Sequence, residues 1–198
     1  MIATDAHALG AVHAPVRGVR PALSARRESR LIRAAQRGDP AALEALFTAF
    51  WPQCHRAAWL ITRDHSAAED IAQEAFLAAV AALDRFDRTR RLGPWLHTIV
   101  ARRAIDYARA RAVRREVHDG PLDCAAARPD PASRPSDRLL DALGALDHDR
   151  RAVVILRHLL DLSPRQIAEI LDVPVGTVNS RMRRALDQLR VEVGPSDE

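Results

Sequence analysis

The chain has 198 residues, enough for one large domain or two small ones, and its 4% aromatic content predicts cores built mainly from aliphatic side chains. The formal net charge is +4 and all 30 basic residues are arginine. Because a lysine-free composition is also typical of a GC-rich genome, the positions of the arginines are more informative than their number. The longest apolar run, residues 75–83, is far shorter than the roughly 20 residues of a transmembrane helix, which excludes a membrane-spanning protein.

The first 27 residues contain scattered Arg, His and Pro and lack the apolar stretch of a secretory signal, so they are predicted to be a disordered leader of a cytoplasmic protein. Cys54 and Cys124 lie far apart without a CxxC spacing, which argues against a disulfide scaffold or a zinc ribbon. Cys54 and His55 could form a ligand pair, but adjacent residues rarely converge on one ion. The sequence therefore predicts no metal ion and no cofactor.

Helical periodicity fills two blocks, residues 28–116 and 136–193, and no alternating β pattern of useful length is present. The segment between them, residues 117–135, contains four prolines, which are not tolerated inside helices and predict an extended linker. The predicted fold is all-α, with two small helical domains joined by a flexible linker.

Within the first block, a helix is predicted to open at residues 68–76. Its core side carries Ile71, Ala75, Ala79 and Leu83. Its other side carries, at helical spacing, Asp70, Gln73, Glu74 and Leu77. An acidic face with one apolar residue is either exposed to solvent or docks on a basic protein partner. The composition is compatible with both.

The stretch from residue 85 to residue 115 is strongly basic, with ten arginines against two aspartates, a net charge of +8 in a chain of +4. Such a concentration indicates a nucleic-acid surface. Phe86, Trp95 and Tyr107 are interleaved with the arginines and could stack on unpaired bases. For Phe86 and Trp95 the alternative is a place in the core, whereas Tyr107, flanked by charged residues, is the better stacking candidate. A membrane-surface helix is disfavoured because Asp106 and a Gly-Pro break interrupt the amphipathic face.

Residues 163–190 are predicted to form a helix-turn-helix. Ser163 supplies a hydroxyl N-cap, Pro164 occupies the first helical position, and Gln166 completes a capping box. The turn follows at residues 172–174, where Val173 is the apolar residue predicted to fill the corner.

The second helix of this motif repeats apolar residues at Val175, Val178, Met182, Ala185, Leu186 and Leu189. Its opposite face presents Gly176, Asn179, Ser180, Arg183 and Arg184, with Thr177 and Arg181 on the flanks. Small polar residues followed one turn later by two arginines fit a helix that enters the major groove. The alternative is an amphipathic hairpin whose charges are only solvated.

Taken together, three segments resemble the extracytoplasmic-function (ECF) sigma factors of bacterial RNA polymerase, in the sigma-70 family. They are the DIAQEAF segment at 70–76, Trp95-Leu96 followed by an arginine-rich helix with Asp106, and residues 163–189 with GTVNSR at 176–181. Order and spacing both match, and the resemblance covers residues 28–116 and 136–192.

The resemblance implies a leader (1–27), a region 2 domain (28–116), a linker (117–135) and a region 4 domain (136–193). Region 2 would bind core polymerase and the −10 element, and region 4 would bind the −35 element. The protein would thus direct promoter-specific initiation without being an enzyme or having catalytic residues. The implied partners are core RNA polymerase, through its β′ clamp and β flap, promoter DNA and an anti-sigma factor.

The resemblance also implies three sets of contact residues. The polymerase-binding set is Asp70, Gln73, Glu74, Phe76 and Leu77. The −10 set is Arg88, Arg91, Trp95, Arg102, Arg103, Asp106, Tyr107 and Arg109. The −35 set is Thr177, Asn179, Ser180, Arg181, Arg183 and Arg184. Many relatives carry Asn where this chain has Arg102, which is expected to hold phosphate and to weaken base discrimination there.

Two other functions are compatible with a helix-turn-helix and a basic surface. A homodimeric helix-turn-helix repressor or activator would need a dimerisation or effector module, and neither block resembles one. A nucleic-acid-processing enzyme would need an acid–base or metal centre, but the eight histidines are scattered and no paired carboxylates are evident.

Overall fold

The computed structural model describes residues 23–119 and 135–193, with side chains described for 23–114 and 137–193. Eight α-helices and no strand lie within those ranges, which confirms the all-α prediction. The helices are α1 Ala25–Ala35, α2 Pro40–Thr62, α3 His65–Ala82, α4 Leu92–Asp119, α5 Pro135–Ala145, α6 His148–His158, α7 Pro164–Leu171 and α8 Val175–Val193, with a 3-10 turn at Leu83–Arg85. Most of the predicted leader (1–22) and of the predicted linker (120–134) lies outside the described residues, while residues 117–119 and 135, also predicted as linker, belong to α4 and α5.

The chain divides into two compact units, with the boundary between Tyr107 and Ala108, inside α4. The N-terminal unit contains α1 to α3 and the first part of α4. The C-terminal unit contains the end of α4 and helices α5 to α8.

The first helix begins at Ala25, inside the segment predicted as leader. Its start is fixed locally, because the Ser24 side chain accepts a hydrogen bond from the Arg27 amide and Glu28 lies in the first turn. Gly38 follows α1 with a φ of 84°, a left-handed conformation that glycine adopts without strain. The Asp39 carboxylate then caps α2 by accepting the amide of Ala41 at 3.0 Å.

The core of the N-terminal unit forms where α2 packs against α1 and α3. Several of its fully buried residues are alanines, which allow the helices to approach closely; they include Ala57, Ala58, Ala68, Ala72 and Ala75. All four residues predicted for the core side of α3 are buried: Ile71, Ala75, Ala79 and Leu83. The predicted aliphatic character of the core is confirmed.

The C-terminal unit is organised around α8, which packs against α5, α6 and α7. The capping box predicted at the start of α7 is present: the Ser163 amide donates to Gln166 Oε1 at 2.9 Å, and the Gln166 amide donates to Ser163 Oγ at 3.4 Å. Helix α7 ends at Asp172, whose φ is 54°, and Val173 is half-buried in the turn. Of the predicted apolar stripe of α8, only Val175, at its first position, is exposed.

Candidate polymerase- and DNA-binding surfaces

Helix α3 presents the predicted polymerase-binding residues on its outer face. Asp70, Gln73 and Glu74 are exposed, Phe76 is half-buried, and Leu77 is 70% exposed. A leucine so open to water on an otherwise polar face loses favourable burial, so this face is suited to a partner that covers it.

Beside these residues lies an apolar cavity of about 460 Å³ between α2, α3 and the start of α4, here called the apolar groove. Its lining includes Leu46, Phe47, Phe76, Leu77, Val80 and Leu83. Phe47 is 41% exposed, and its ring centroid lies 4.8 Å from those of both Trp51 and Phe76. The sequence reasoning missed Phe47 and Trp51; their four-residue spacing, which places them on one face of α2, could have revealed them.

The polymerase-binding set and the −10 set meet at one ion pair. Arg103 Nη1 lies 2.7 Å from Glu74 Oε2, and both side chains are substantially exposed. At such exposure the pair contributes at most about 1 kcal/mol, so it can open when a partner competes for either charge.

The segment between α3 and α4, residues 85–91, is here called the arginine loop, and it exposes Arg85, Arg88 and Arg90. In its centre, Asp87 Oδ1 accepts hydrogen bonds from the Thr89 amide at 2.9 Å and the Thr89 hydroxyl at 2.8 Å. These two bonds lower the pKa of Asp87 below its usual value. The loop therefore combines outward arginines with a defined turn.

Arg91, at the end of the loop, has its guanidinium engaged within the protein. It pairs with Glu28 and donates to the Leu23 carbonyl at 3.2 Å, although its side chain is 53% exposed. Of the other −10 residues on α4, Arg102 and Asp106 are exposed. Arg109 lies in the C-terminal unit, with its Nε 3.5 Å from Asp149 Oδ1.

The three aromatic residues of the basic stretch differ in burial. Phe86 is 8% exposed and fills the core, with its ring centroid 4.9 Å from that of Trp95. Trp95 and Tyr107 are half-buried, and the Tyr107 hydroxyl donates to Asp64 Oδ2 at 3.1 Å. Phe86 is thus structural, and a stacking role for Trp95 or Tyr107 stays a prediction.

His97 lies one turn into α4 and is 5% exposed, and neither ring nitrogen has a hydrogen-bond partner. Burial lowers the pKa of His97 to about 4, so its imidazole is neutral at physiological pH. Burial likewise raises the pKa of the Cys54 thiol to about 12, which makes this cysteine an unreactive core residue.

The arginines of α8 are of two kinds, those paired with a carboxylate and those without a carboxylate partner. Arg181 is ion-paired with Asp149 of α6, and Arg190 pairs with Asp187 at 3.2 Å. Arg183 and Arg184 are exposed and, within the part of the chain that the structure describes, lack a carboxylate partner.

The other residues of the −35 set lie on the first turns of α8. Asn179 is exposed, while Thr177 and Ser180 are half-buried and joined by a bond from Ser180 Oγ to the Thr177 carbonyl at 3.0 Å. Asn179, Arg183 and Arg184 are therefore the members of the set that are most free to contact DNA.

Across the described ranges, no cluster of His, Cys, Asp or Glu is arranged to hold a metal ion. None of the helices described is long and apolar enough to cross a membrane. Two helical units, one with an exposed arginine loop and the other with a helix-turn-helix, are typical of a DNA-binding protein.

Comparison with known proteins identifies the family. The Sigma-70 region 2 family matches residues 46–114, and the Sigma-70, region 4 family matches residues 136–189. The ECF RNA polymerase sigma-E factor of Escherichia coli K12 is 31% identical over 183 residues, which cover 83% of this chain and 93% of the relative. The ECF sigma factor SigW of Bacillus subtilis is 28% identical over 183 residues, covering 82% and 94%.

Two solved structures are also similar. CnrH, in complex with the cytosolic domain of CnrY, has 26% identity and a TM-score of 0.59, covering 86% of this chain and 99% of CnrH. RpoE of Bartonella quintana, in complex with the anti-sigma factor NepR, has 25% identity and a TM-score of 0.60, covering 78% and 98%. The chain belongs to the ECF group of the sigma-70 family, the RNA polymerase sigma factors that direct promoter-specific initiation of transcription.

Proposed function

We propose that the chain binds core RNA polymerase through α3 and the apolar groove and then contacts the promoter at two places. In this proposal α8 reads the −35 duplex, while the arginine loop and α4 hold the unpaired −10 strand. Residues 28–116 thus serve as region 2 and residues 136–193 as region 4. The chain makes and breaks no bond itself; it acts in the cytoplasm as an initiation factor and not as an enzyme.

The observation that carries the proposal is the selective neutralisation of the arginines on α8. Because Arg181 and Arg190 are held by carboxylates, the free positive charge of this helix is concentrated at Arg183 and Arg184. A guanidinium that is not already paired can bond both acceptors of a guanine edge, which contributes about 1–3 kcal/mol of discrimination. This arrangement favours specific reading over general attraction to DNA.

For the −10 strand, the support is the exposed arginine surface of the N-terminal unit. Arg88 and Arg102 are exposed and can reach phosphates, whose contribution to affinity falls steeply as salt rises. Trp95 and Tyr107 each keep part of a ring accessible for an unpaired base. With Arg102 at the position where many relatives have Asn, we propose that this chain holds phosphate there and discriminates less between bases.

For the polymerase, the support is the combination of an apolar centre with a charged rim. Leu77 and the apolar groove supply the centre, while Asp70 and Glu74 supply negative charge beside it. Protein interfaces commonly bury an apolar anchor within such a polar rim. We propose that the groove and α3 dock on the β′ clamp, and that the C-terminal unit meets the β flap.

Control by an anti-sigma factor is the further part of the proposal. One of the similar solved structures is a complex with an anti-sigma factor, and the ECF group is the family to which this chain belongs. We propose that a protein of that class holds this chain inactive by covering surfaces that polymerase needs.

The two promoter contacts are expected to act together. Once polymerase holds both units, binding of one unit to DNA gives the other a high effective concentration, so two individually weak contacts become strong. The isolated chain should therefore bind promoter DNA poorly.

The proposal is tested by run-off transcription with purified core polymerase on a library of genomic fragments. The expected result is initiation that depends on this chain, with start sites that share two sequence elements at fixed spacing. Absence of chain-dependent initiation overturns the proposal. Tight binding of duplex DNA by the isolated chain, without polymerase, would instead indicate a helix-turn-helix repressor or activator.

A further inference from the structure

Helix α1 lies outside the residues matched by the two region families, yet it holds both ends of the arginine loop. At the far end of the loop, Glu28 Oε2 accepts Arg91 Nε at 2.9 Å and Arg91 Nη2 at 2.8 Å. Glu28 Oε1 accepts the Leu92 amide, the first of α4, at 2.6 Å. Glu28 is only 2% exposed, so this carboxylate serves the protein interior and cannot meet DNA.

The near end of the loop is held from the C-cap of the same helix. Gln36 Nε2 donates to the Leu83 carbonyl at 2.9 Å and lies 3.3 Å from the Phe86 carbonyl. The segment from 83 to 92 is therefore fixed at both ends by side chains of α1, while the Asp87–Thr89 turn shapes its middle.

These contacts do more than add stability to the fold. A buried carboxylate is costly unless it is fully hydrogen-bonded, and three charge-assisted bonds from one short segment tie the backbone of that segment to one geometry. The exposed arginines Arg85, Arg88 and Arg90 consequently lie on a loop whose two ends are held in place by hydrogen bonds to α1. A preorganised loop loses less conformational entropy when it receives a flexible single strand.

We infer that α1 is a positioning element for promoter opening, with Glu28 and Gln36 as positioning residues that preset the arginine loop for the unpaired strand. The inference rests on the proposed function and extends it to a helix that precedes the residues matched by the region 2 family. It also gives Arg91 a different role from its predicted DNA contact, because its guanidinium is already committed to Glu28.

The substitution Glu28→Gln distinguishes a positioning role of Glu28 from a purely electrostatic effect on DNA binding. Glu28→Gln removes a negative charge from a basic region, so charge alone predicts equal or tighter binding of phosphate. Loss of positioning predicts weaker capture of the strand. Asp84→Asn is the matched control, because it makes the same charge change in the adjoining 3-10 turn, where Asp84 is exposed and has no tie to α1.

The first measurement is hydrogen exchange on the free full-length chain. In Glu28→Gln, the amides of residues 86–92 are expected to exchange about tenfold faster, the scale of losing a bond to a charged group, while Asp84→Asn matches the wild type. Unchanged exchange in Glu28→Gln overturns the positioning role, whatever the outcome for the proposed function.

The second measurement compares initiation by holoenzyme on a duplex promoter with initiation on the same promoter opened by mismatches at the −10 element. Glu28→Gln is expected to retain core polymerase in a pull-down, to initiate about tenfold less on the duplex, and to recover most of that loss on the mismatched template. Initiation equal to that of Asp84→Asn on both templates overturns the inference, and so does an equal loss on both.

A second variant covers the case in which Glu28→Gln does not fold. Gln36→Leu removes the other tie without burying an unpaired charge and is expected to give the same pattern at about threefold. Failure of the wild-type holoenzyme to initiate anywhere would overturn the proposed function, while the exchange result would still decide whether α1 holds the loop.

Discussion

The two units of this sigma factor carry arginine in different ways. In the N-terminal unit, exposed arginines without an ion pair are spread over the loop and α4 and include Arg85, Arg88 and Arg102. In the C-terminal unit, carboxylates pair with several arginines; the pairs include Asp149–Arg181, Asp187–Arg190, Asp147–Arg150 and Asp161–Arg157. On α8 itself, Arg183 and Arg184 are the described arginines that are exposed and have no carboxylate partner.

This difference matches two kinds of DNA contact. A diffuse set of unpaired charges attracts phosphates wherever they lie and gives affinity with little sequence information. Two isolated arginines on a helix that ion pairs hold in place give little general attraction but can read base edges. We therefore propose that arginine serves strand capture in the N-terminal unit and sequence reading in the C-terminal unit.

The largest expected effect concerns the proposed polymerase-binding face of α3. Asp70→Lys together with Glu74→Lys should weaken retention of core polymerase in a pull-down by about a hundredfold, because like charges placed against a basic partner cost several kcal/mol. Glu74 also pairs with Arg103, so the assay omits DNA to isolate polymerase binding.

The matched control for that double variant is Asp187→Lys with Glu192→Lys, which makes the same change in net charge at the end of α8, away from the β′ clamp contact proposed for α3. It should retain core polymerase normally. Equal retention by the two double variants would show that the acidic face of α3 is only solvated.

The next largest effect is expected from substitution of Arg184, the proposed contact to bases of the −35 element. Arg184→Ala should lower transcription from −35-dependent promoters by about tenfold to a hundredfold, equivalent to 1–3 kcal/mol of lost base contact, while core binding is retained. Arg190→Ala, an equal truncation at a position already paired with Asp187, is the control and should change transcription little. If the two variants behave alike, the selective role of the unpaired arginines is wrong.

Much of the fold followed from local pattern, because helical periodicity and caps involve residues three or four positions apart. The core side of α3 and the capping box of Ser163 and Gln166 were predicted correctly for this reason. The start of α1 was missed, because its cap at Ser24 lies in a stretch whose composition resembles a disordered leader.

The ion pairs that decide which arginines are free could not be predicted in the same way. Glu28 and Arg91 are 63 residues apart, and Glu74 and Arg103 are 29 apart, so their pairing depends on how the helices pack. The sequence alone therefore placed Arg91 and Arg103 in the −10 set without revealing their carboxylate partners. The residues on each surface could be predicted from the sequence, but which of their charges are already ion-paired could not.

A smaller effect is expected on the pH dependence of stability, and it concerns the N-terminal unit, where His97 lies. His97 has a pKa of about 4 in the folded N-terminal unit, against about 6.5 when unfolded, so unfolding takes up a proton between these values and stability falls as pH decreases through that window. We expect a loss of about 2 kcal/mol between pH 7 and pH 5.

The three tryptophans, Trp51, Trp59 and Trp95, all lie in the N-terminal unit, so urea unfolding followed by tryptophan fluorescence reports that unit alone. In His97→Leu the loss between pH 7 and pH 5 should largely disappear. An equally large loss in the variant would mean that other groups control the acid sensitivity of the unit.

The smallest effect concerns the helix caps of the two units. Ser163→Ala should destabilise the C-terminal unit by about 1 kcal/mol, because the Gln166 amide at the start of the helix-turn-helix loses the Ser163 hydroxyl that accepts its hydrogen bond. Ser24→Ala removes a single bond of 3.4 Å without a capping box and should cost less. Urea unfolding followed by far-ultraviolet circular dichroism measures both variants. If the units unfold independently, Ser163→Ala leaves the tryptophan transition in place, and a shift of that transition would show instead that the cap of one unit stabilises the other.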